Sequence, residues 1–267
     1  FLRTMTHAAT RFCFGEISCC NQCMTLQTND AHAAWTESRR EAVTDPQGAL
    51  SLVLTHWSAA VEPAVSEAEA RVGHPADALF TRLTRADLDS GEPQEGYRIW
   101  STDSPAQQAF EEIEAYDYDA SWIIEGRFEL VDEDRVVPFE HLKDDGATRG
   151  LPVSGDLVFT RDGQEFRLNA FDTNYGGVAK LQLVFGDQTN GVESYGAGRF
   201  LFLERPASDA LAADGSVPIT IDFNLATVPP CGFSNQMNCP LPPLQNRLPF
   251  PLRAGEKRVR YAEGFTL

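Results

Sequence analysis

The residues best suited to chemistry form a polar set near the C-terminal end of the chain. Asp222 and Glu256 are carboxylates that could act as a general acid or base. Arg199 and Arg247 carry guanidinium groups, which bind anions through paired N–H donors. We predict a ligand-binding site at the mouth of a β-barrel formed by Arg199, Asp222, Asn224, Asn246, Arg247, Glu256 and Lys257.

A structural role is the alternative for these residues, because much of the surrounding segment cannot form regular structure. Seven of the sixteen prolines lie between Pro229 and Pro251. Proline fixes φ and lacks an amide donor, so this segment is neither a central strand nor a helix. We call residues 222–257 the strap and predict that it crosses one end or face of a sheet. Its carbonyl groups need donors, which Arg and Asn side chains could supply.

Two cysteines, Cys231 and Cys239, lie within the strap. They could be buried thiols, a disulfide or redox pair, or metal ligands. Without an export signal we expect a cytoplasmic, reducing compartment, which disfavours a stable disulfide. Two cysteines do not complete a zinc site, so they are weak metal candidates and no metal or other cofactor is identified. His141 follows Glu140 in a polar loop and is predicted to lie at the surface.

Composition excludes several classes of partner. The chain has 267 residues, with 39 acidic and 22 basic side chains and a net charge of −17. Nucleic-acid binding needs clustered Lys and Arg, and so does a polybasic membrane contact. No window of about 18 apolar residues suits a membrane span. Only three lysines accompany 19 arginines, a bias that we attribute to a high-GC bacterial genome.

Alternation of apolar and polar residues from Tyr97 onward predicts an antiparallel β domain. The Asp162-Gly163 pair between two alternating runs indicates a hairpin. At least seven short strands at close spacing favour a meander that forms a barrel or a sandwich. A short helix is expected at 105–114. The predicted strands lie at 97–100, 122–130, 136–139, 157–160, 165–168, 181–185, 195–203 and 217–223.

The chain before Tyr97 has a different character. Residues 30–72 show helical spacing of apolar residues, although the run at 49–57 suits either a helix or a strand. Glycine and proline among charges predict a loop or linker over 73–97, around a short segment at Ala78 to Leu83. The fold is therefore mainly β (α+β overall), with N-terminal helices. We divide the chain into a leader (1–23), a helical N-terminal segment with its loop (24–96) and a β-rich domain (97–267).

The leader contains four of the six cysteines and a single acidic residue, Glu16. It has no continuous apolar stretch, so it does not resemble a signal peptide. The cysteine spacing C-x5-C-C-x2-C fits no common zinc or iron–sulfur pattern. We interpret residues 1–23 as a non-native or disordered leader and Met24 as the true start.

Several short motifs follow one another in a fixed order along the second half of the chain. In the strap they are Asp222-Phe223-Asn224, Pro229-Pro230-Cys231, Cys239-Pro240-Leu241-Pro242-Pro243, Asn246-Arg247-Leu248-Pro249 and Ala254-Gly255-Glu256-Lys257. Upstream they are Asp103-Ser104-Pro105 with Phe110, Asp187-Gln188-Thr189 and Tyr195-Gly196-Ala197-Gly198-Arg199-Phe200. This order resembles that of DUF1684, an uncharacterised prokaryotic family, over about residues 97–257. The resemblance implies a fold and a set of positions, but no activity. Thr227-Val228 departs from the Tyr-Asn pair of the family.

Three functions remain open at this level. The first is binding of a small molecule at the strap-covered end of a β-barrel, which requires a cavity near the strap. The second is a hydrolase or lyase that uses Asp222 or Glu256, and carboxylates locked to arginines would count against it. The third is a structural or partner-binding domain, which predicts an exposed apolar patch. The sequence does not decide whether the protein is an enzyme, nor its oligomeric state.

Overall fold

Antiparallel strands dominate the fold, as the alternation predicts. The computed structural model describes residues 18–58, 65–87, 90–132, 134–144, 146–207, 210 and 212–267. Strands hold 44% of the residues and helices 18%, so the protein is mainly β. The elements are α1 (Ser18–Thr44), β1 (Leu52–Trp57), α2 (Glu67–Ala70), β2 (Leu79–Ala86), β3 (Pro93–Trp100), α3 (Pro105–Ala109), β4 (Phe110–Ala115), β5 (Ile123–Leu130), β6 (Val136–Glu140), β7 (Thr148–Pro152), β8 (Gly155–Arg161), β9 (Gln164–Tyr175), β10 (Val178–Phe185), β11 (Arg199–Glu204), β12 (Ser216–Asp222) and β13 (Glu256–Tyr261).

The largest sheet has six strands in the order β11-β10-β9-β8-β5-β12 and curls into a half-barrel. This is an open form of the predicted barrel. Its β8–β9 hairpin turns at Asp162 and Gly163, whose φ angles of 51° and 77° are left-handed. Asp-Gly accepts this conformation at low cost, so the local sequence alone determines the hairpin.

The main hydrophobic core joins the half-barrel to the strap. Phe223 is fully buried and makes edge contacts with Phe159 and Phe185 at 5.9 and 5.6 Å. Leu248 and Leu252 of the strap belong to the same core. Burial of each such side chain contributes roughly 1.5–3 kcal/mol. The strap is therefore an integral part of the core.

The strap itself is irregular, as its proline content predicts. It contains three single turns of 3₁₀ helix, Phe223–Leu225, Pro230–Gly232 and Leu244–Asn246. All of its X–Pro bonds are trans. With so few ladder hydrogen bonds, its backbone depends on partners elsewhere in the fold.

The N-terminal region departs from the predicted helical segment. Helix α1 matches the prediction up to Thr44, but β1, β3 and β2 then form a three-stranded sheet in that order. In the described part of 61–72 the helix is confined to α2, which starts with a capping box at Ser66. Strand β2 begins within the short segment expected at Ala78 to Leu83 and extends into the predicted loop. These strands form because β3 pairs with both neighbours, with β2 as a hairpin and with β1 over a long sequence distance, and β propensity depends strongly on such context.

The prediction of a helix over 105–114 is correct only for its first residues. Ser104 caps α3 by accepting a hydrogen bond from the amide of Gln107 at 3.0 Å. After Ala109 the chain becomes β4, which pairs with β13 through Ile113 and Val259. Tertiary pairing with the end of the chain overrides the local helical preference.

Most of the predicted leader cannot be compared with the structure. Residues 1–17, including Cys13, lie outside the described residues, whereas 18–23 form the first turns of α1. Among the described helices, none is long and apolar enough to cross a membrane.

Candidate functional site

Arg199, the first residue of β11, is fully buried. Its guanidinium donates to Asp187 Oδ2 at 2.7 Å, to the Leu252 carbonyl at 2.6 Å and to the Ala254 carbonyl. Asp187 Oδ1 also accepts the amides of Thr189 and Leu252, at 2.8 and 3.1 Å. This buried ion pair holds the strap against the sheet.

Asn246 has a similar role from within the strap. Its Oδ1 accepts the amide of Asn169 at 2.7 Å. Its Nδ2 donates to the carbonyls of Asn169 and Val184, each at 2.9 Å. The side chain is fully buried, and these bonds engage both its oxygen and its nitrogen in backbone contacts.

Asp222 and Asn224 bind each other at the start of the strap. Asp222 Oδ1 accepts the Asn224 amide at 3.0 Å and the Asn224 side chain at 2.9 Å. Asn224 also bonds the amide and the carbonyl of Asp119, each at 3.0 Å. The pair fixes the turn that leads from β12 into the strap.

Glu256 is locked to an arginine that the sequence analysis did not identify as a site residue. Arg39 of α1 donates to both carboxylate oxygens, at 2.7 and 3.1 Å, and the Val228 amide donates to Oε2 at 2.7 Å. Burial disfavours the charged guanidinium, but the Glu256 carboxylate outweighs this, so the pKa of Arg39 is raised. This geometry counts against Glu256 as a general acid or base.

The remaining two predicted residues lie apart from the others. Arg247 is exposed, donates to the Pro242 carbonyl at 3.2 Å and lines a shallow cleft of 320 Å³. Lys257 lies over the ring of Tyr116 at 5.3 Å. Of the seven predicted residues, only Arg247 and Asp222 line a described cavity, and these are different cavities.

Two adjoining cavities of 660 and 620 Å³ lie where the strap, α1 and the half-barrel meet. We call them together the apolar groove. They share Arg39, Tyr175, Phe202 and Thr227. The ring of Tyr175, which is 41% exposed, stacks on Phe202 at 4.2 Å. Other apolar walls come from Trp35, Leu203, Ile219, Val228, Phe233 and Met237.

The strap cysteines are free thiols and both are buried. The Cys231 amide donates to Cys239 Sγ at 3.2 Å. The hydrogen bond that the two thiols share lowers the pKa of Cys231, and the same bond, together with burial, raises the pKa of Cys239. The described residues contain no group of three or more metal-ligating side chains.

Thiol titration of the full chain tests this burial. In the wild-type chain we expect two thiol equivalents to react with a disulfide reagent only after denaturation, because access limits thiol exchange. The Cys231→Ser/Cys239→Ser double variant should lack these two equivalents. The number of thiols that react quickly before denaturation should be the same in the wild-type chain and in the double variant. Loss of fast-reacting equivalents in the variant would contradict the buried, free thiols.

His141 is not the surface residue that the sequence predicted. Its side chain is 17% exposed and lies 3.6 Å from Asp144. Burial, and secondly the charge of Arg149, lower its pKa. His141 lines a cavity with arginines from distant parts of the chain. No local sequence signal could have revealed this, because the cavity walls meet only in the folded protein.

Comparison with known proteins gives a family but no activity. A family model for proteins of unknown function, DUF1684, matches residues 108–257. The solution NMR structure of an uncharacterized protein from Haloarcula marismortui is 31% identical, over 55% of this chain and 77% of that chain, with a TM-score of 0.43. No curated protein matches the chain.

Proposed function

The chain belongs to the DUF1684 family of proteins of unknown function, and from this premise we propose that it is a small-molecule-binding protein. The proposed ligand lies in the apolar groove. One observation carries the proposal: two cavities of 660 and 620 Å³ adjoin under the strap. Ligand pockets are commonly concave, largely apolar and of this size.

The walls of the apolar groove indicate the chemistry of its ligand. Aromatic and aliphatic side chains from α1, β11 and the strap favour an elongated apolar body. Arg39 and Tyr175 lie at the junction of the two cavities and supply the polar contacts. Since the charge of Arg39 is already paired with Glu256, we infer that the ligand has one polar group there rather than a fully charged group.

Five of the seven predicted site residues then divide into two roles. Asp222 lines the groove, and Glu256 orients Arg39 beside it. Arg199, Asn224 and Asn246 hold the strap that forms one wall. Because Glu256 is engaged by Arg39, binding is better supported than acid–base catalysis.

A cytoplasmic location and the absence of nucleic-acid or membrane partners are part of the same proposal. Adjacent free thiols such as Cys231 and Cys239 support a reducing compartment. A net charge of −17 disfavours association with a polyanion.

Blocking the apolar groove should abolish binding of an uncharged apolar probe. We expect Ala42→Trp to weaken binding of N-phenyl-1-naphthylamine at least tenfold, because the exposed Ala42 lines the groove. The matched variant is Ala34→Trp, a position of α1 that is also exposed but lines neither cavity. Probe fluorescence measures both affinities.

The proposal stands if Ala34→Trp keeps the wild-type affinity and Ala42→Trp does not. Energy transfer from Trp35, which also lines the groove, should accompany binding in the wild-type chain. Absence of saturable binding, or equal loss in the two variants, would overturn the apolar groove as a ligand site.

A further inference from the structure

A further cavity, of 600 Å³, lies outside the apolar groove. Its walls come from the three-stranded sheet, from the segment that includes the β6–β7 connection, and from the strap. We call it the basic cleft. Its principal hydrogen-bonding side chains are Thr55, Arg85, Arg98, His141, Lys143 and Arg149.

The basic cleft concentrates positive charge in an acidic protein. Four cationic side chains line it, and Asp144 is the one carboxylate among its described lining residues. Asp144 is paired with Arg149, which donates a hydrogen bond to each of its two carboxylate oxygens at 3.0 Å. Within the described part of the chain, Arg98 makes no ion pair, and Lys143 donates to the Asn235 carbonyl instead of a carboxylate. Among its described lining residues the cleft therefore has more cationic than anionic side chains.

Unsatisfied polar atoms are also concentrated there. Seven buried side-chain nitrogen or oxygen atoms in the described chain have no hydrogen-bond partner, and three of them belong to residues of this cleft. They are Thr55 Oγ1, Arg98 Nε and His141 Nδ1. Buried polar groups are normally paired, and unpaired ones call for an explanation. Three of these seven atoms belong to residues that line one cavity.

The cationic groups are held in place before any ligand arrives. The Arg85 guanidinium lies 4.1 Å from the centre of the Trp57 ring, and its Nε donates to Gln94 at 2.7 Å. Burial, and secondly the charge of Arg149, lower the pKa of Arg85 and outweigh the opposing charges of Asp144 and Asp87. Burial also lowers the pKa of Arg98. An anion between these groups would relieve both penalties.

We propose that the basic cleft binds the phosphate group of a small organic phosphate. Donors converge on the cleft from three walls, which suits a tetrahedral anion better than a planar carboxylate. Arginine, lysine and hydroxyl donors together are typical of phosphate recognition. A volume of 600 Å³ exceeds that of phosphate and leaves space for an organic portion.

This site does not depend on the apolar groove. Gln236 and Asn238 line the basic cleft, whereas Met237 lines the groove. The strap therefore forms a wall of both cavities and separates them. An uncharged probe for the groove and a phosphate probe for the cleft test the two proposals separately.

Calorimetric titration of the full chain with phenyl phosphate, at constant ionic strength set with chloride, tests the cleft. We expect one saturable site and at least a tenfold loss of affinity in Arg98→Gln, since a desolvated charge partner is removed. The matched variant is Arg82→Gln, an exposed arginine of β2 outside the cleft, which should bind within twofold of wild type. Equal affinities of all three chains, or no saturation by phenyl phosphate, would overturn the site.

Thr55→Val separates a binding role from a structural one. The buried Thr55 hydroxyl has no partner, so its removal should leave the melting temperature unchanged or raise it while weakening phenyl phosphate binding. A lower melting temperature with unchanged affinity would overturn a ligand role for this hydroxyl. Inorganic phosphate is the second probe, and binding as tight as that of phenyl phosphate would overturn the organic part of the proposal.

Discussion

Replacing Arg199 by methionine is expected to lower the free energy of unfolding by about 3–5 kcal/mol. The change leaves Asp187 buried without its cation, since both side chains are fully buried. It also removes the donors to the Leu252 and Ala254 carbonyls. Because Leu252 belongs to the main core, loosening the strap should disturb packing as well as electrostatics. Urea denaturation with a single cooperative transition measures the loss.

Arg205→Met is the matched control for this prediction. Arg205 lies shortly after β11 and pairs with Asp172 at 2.6 Å, but the two side chains are 35% and 52% exposed. An exposed ion pair contributes only about 0–1 kcal/mol because water and salt screen it. Similar losses in Arg199→Met and Arg205→Met would contradict a strap held by the buried pair. A large loss of stability in Arg199→Met alone would show that Arg199, which the sequence suggests as an anion-binding residue, has a structural role.

Asn246→Leu is expected to cost at least about 3 kcal/mol in the free energy of unfolding. The replacement has nearly the same size but cannot hydrogen-bond. It leaves the amide and carbonyl of Asn169 and the carbonyl of Val184 without the partner that Asn246 provides. Each buried, unpaired group costs roughly 1–3 kcal/mol. Chemical denaturation in parallel with the wild-type chain measures the difference.

The adjacent Gln245→Leu variant controls for the change of side chain. Gln245 is exposed, and its Nε2 donates to the Arg167 carbonyl at 3.2 Å. Its replacement should alter stability by no more than about 0.5 kcal/mol. If Asn246→Leu kept full stability, the amide would not be the link between strap and sheet, and a ligand-binding role would regain support.

These two predictions concern what the ordered motifs of the family do. Arg199 and Asn246 belong to the motifs that carry the family resemblance, yet their side chains bind backbone groups of the same chain. These motifs therefore identify a strap whose position depends on specific hydrogen-bond partners. The cavities lie beside these motifs, and their walls include residues from regions that the sequence analysis read as helix or loop.

Local features of the sequence were enough to predict much of the β domain. Alternation located β5, β6 and β8 to β12 but not β4, β7 or β13. Asp162-Gly163 identified the β8–β9 hairpin because both residues accept left-handed φ angles. Proline content predicted the irregular strap, since proline fixes φ and removes a donor. Each of these signals is contained within a few consecutive residues.

The N-terminal sheet could not be predicted in the same way. Strand β1 pairs with β3, a partner distant in the chain, whereas β2 and β3 are consecutive strands that pair as a hairpin. The Gly- and Pro-rich composition around β2 resembles a loop when it is considered locally. Pairing energy available only in the folded state decided the outcome.

The candidate sites could be predicted from local sequence even less than the N-terminal sheet. Arg39 and Glu256 are 217 residues apart in sequence and meet in a bidentate ion pair. The basic cleft joins Thr55, Arg98 and His141, of which the sequence singled out only His141, and that as a surface residue. The sequence by itself determined the β class, the strap and its family motifs, because these depend on short-range backbone preferences. Only the tertiary structure decided which charges are paired and which face a cavity, because pairing depends on distances that packing sets.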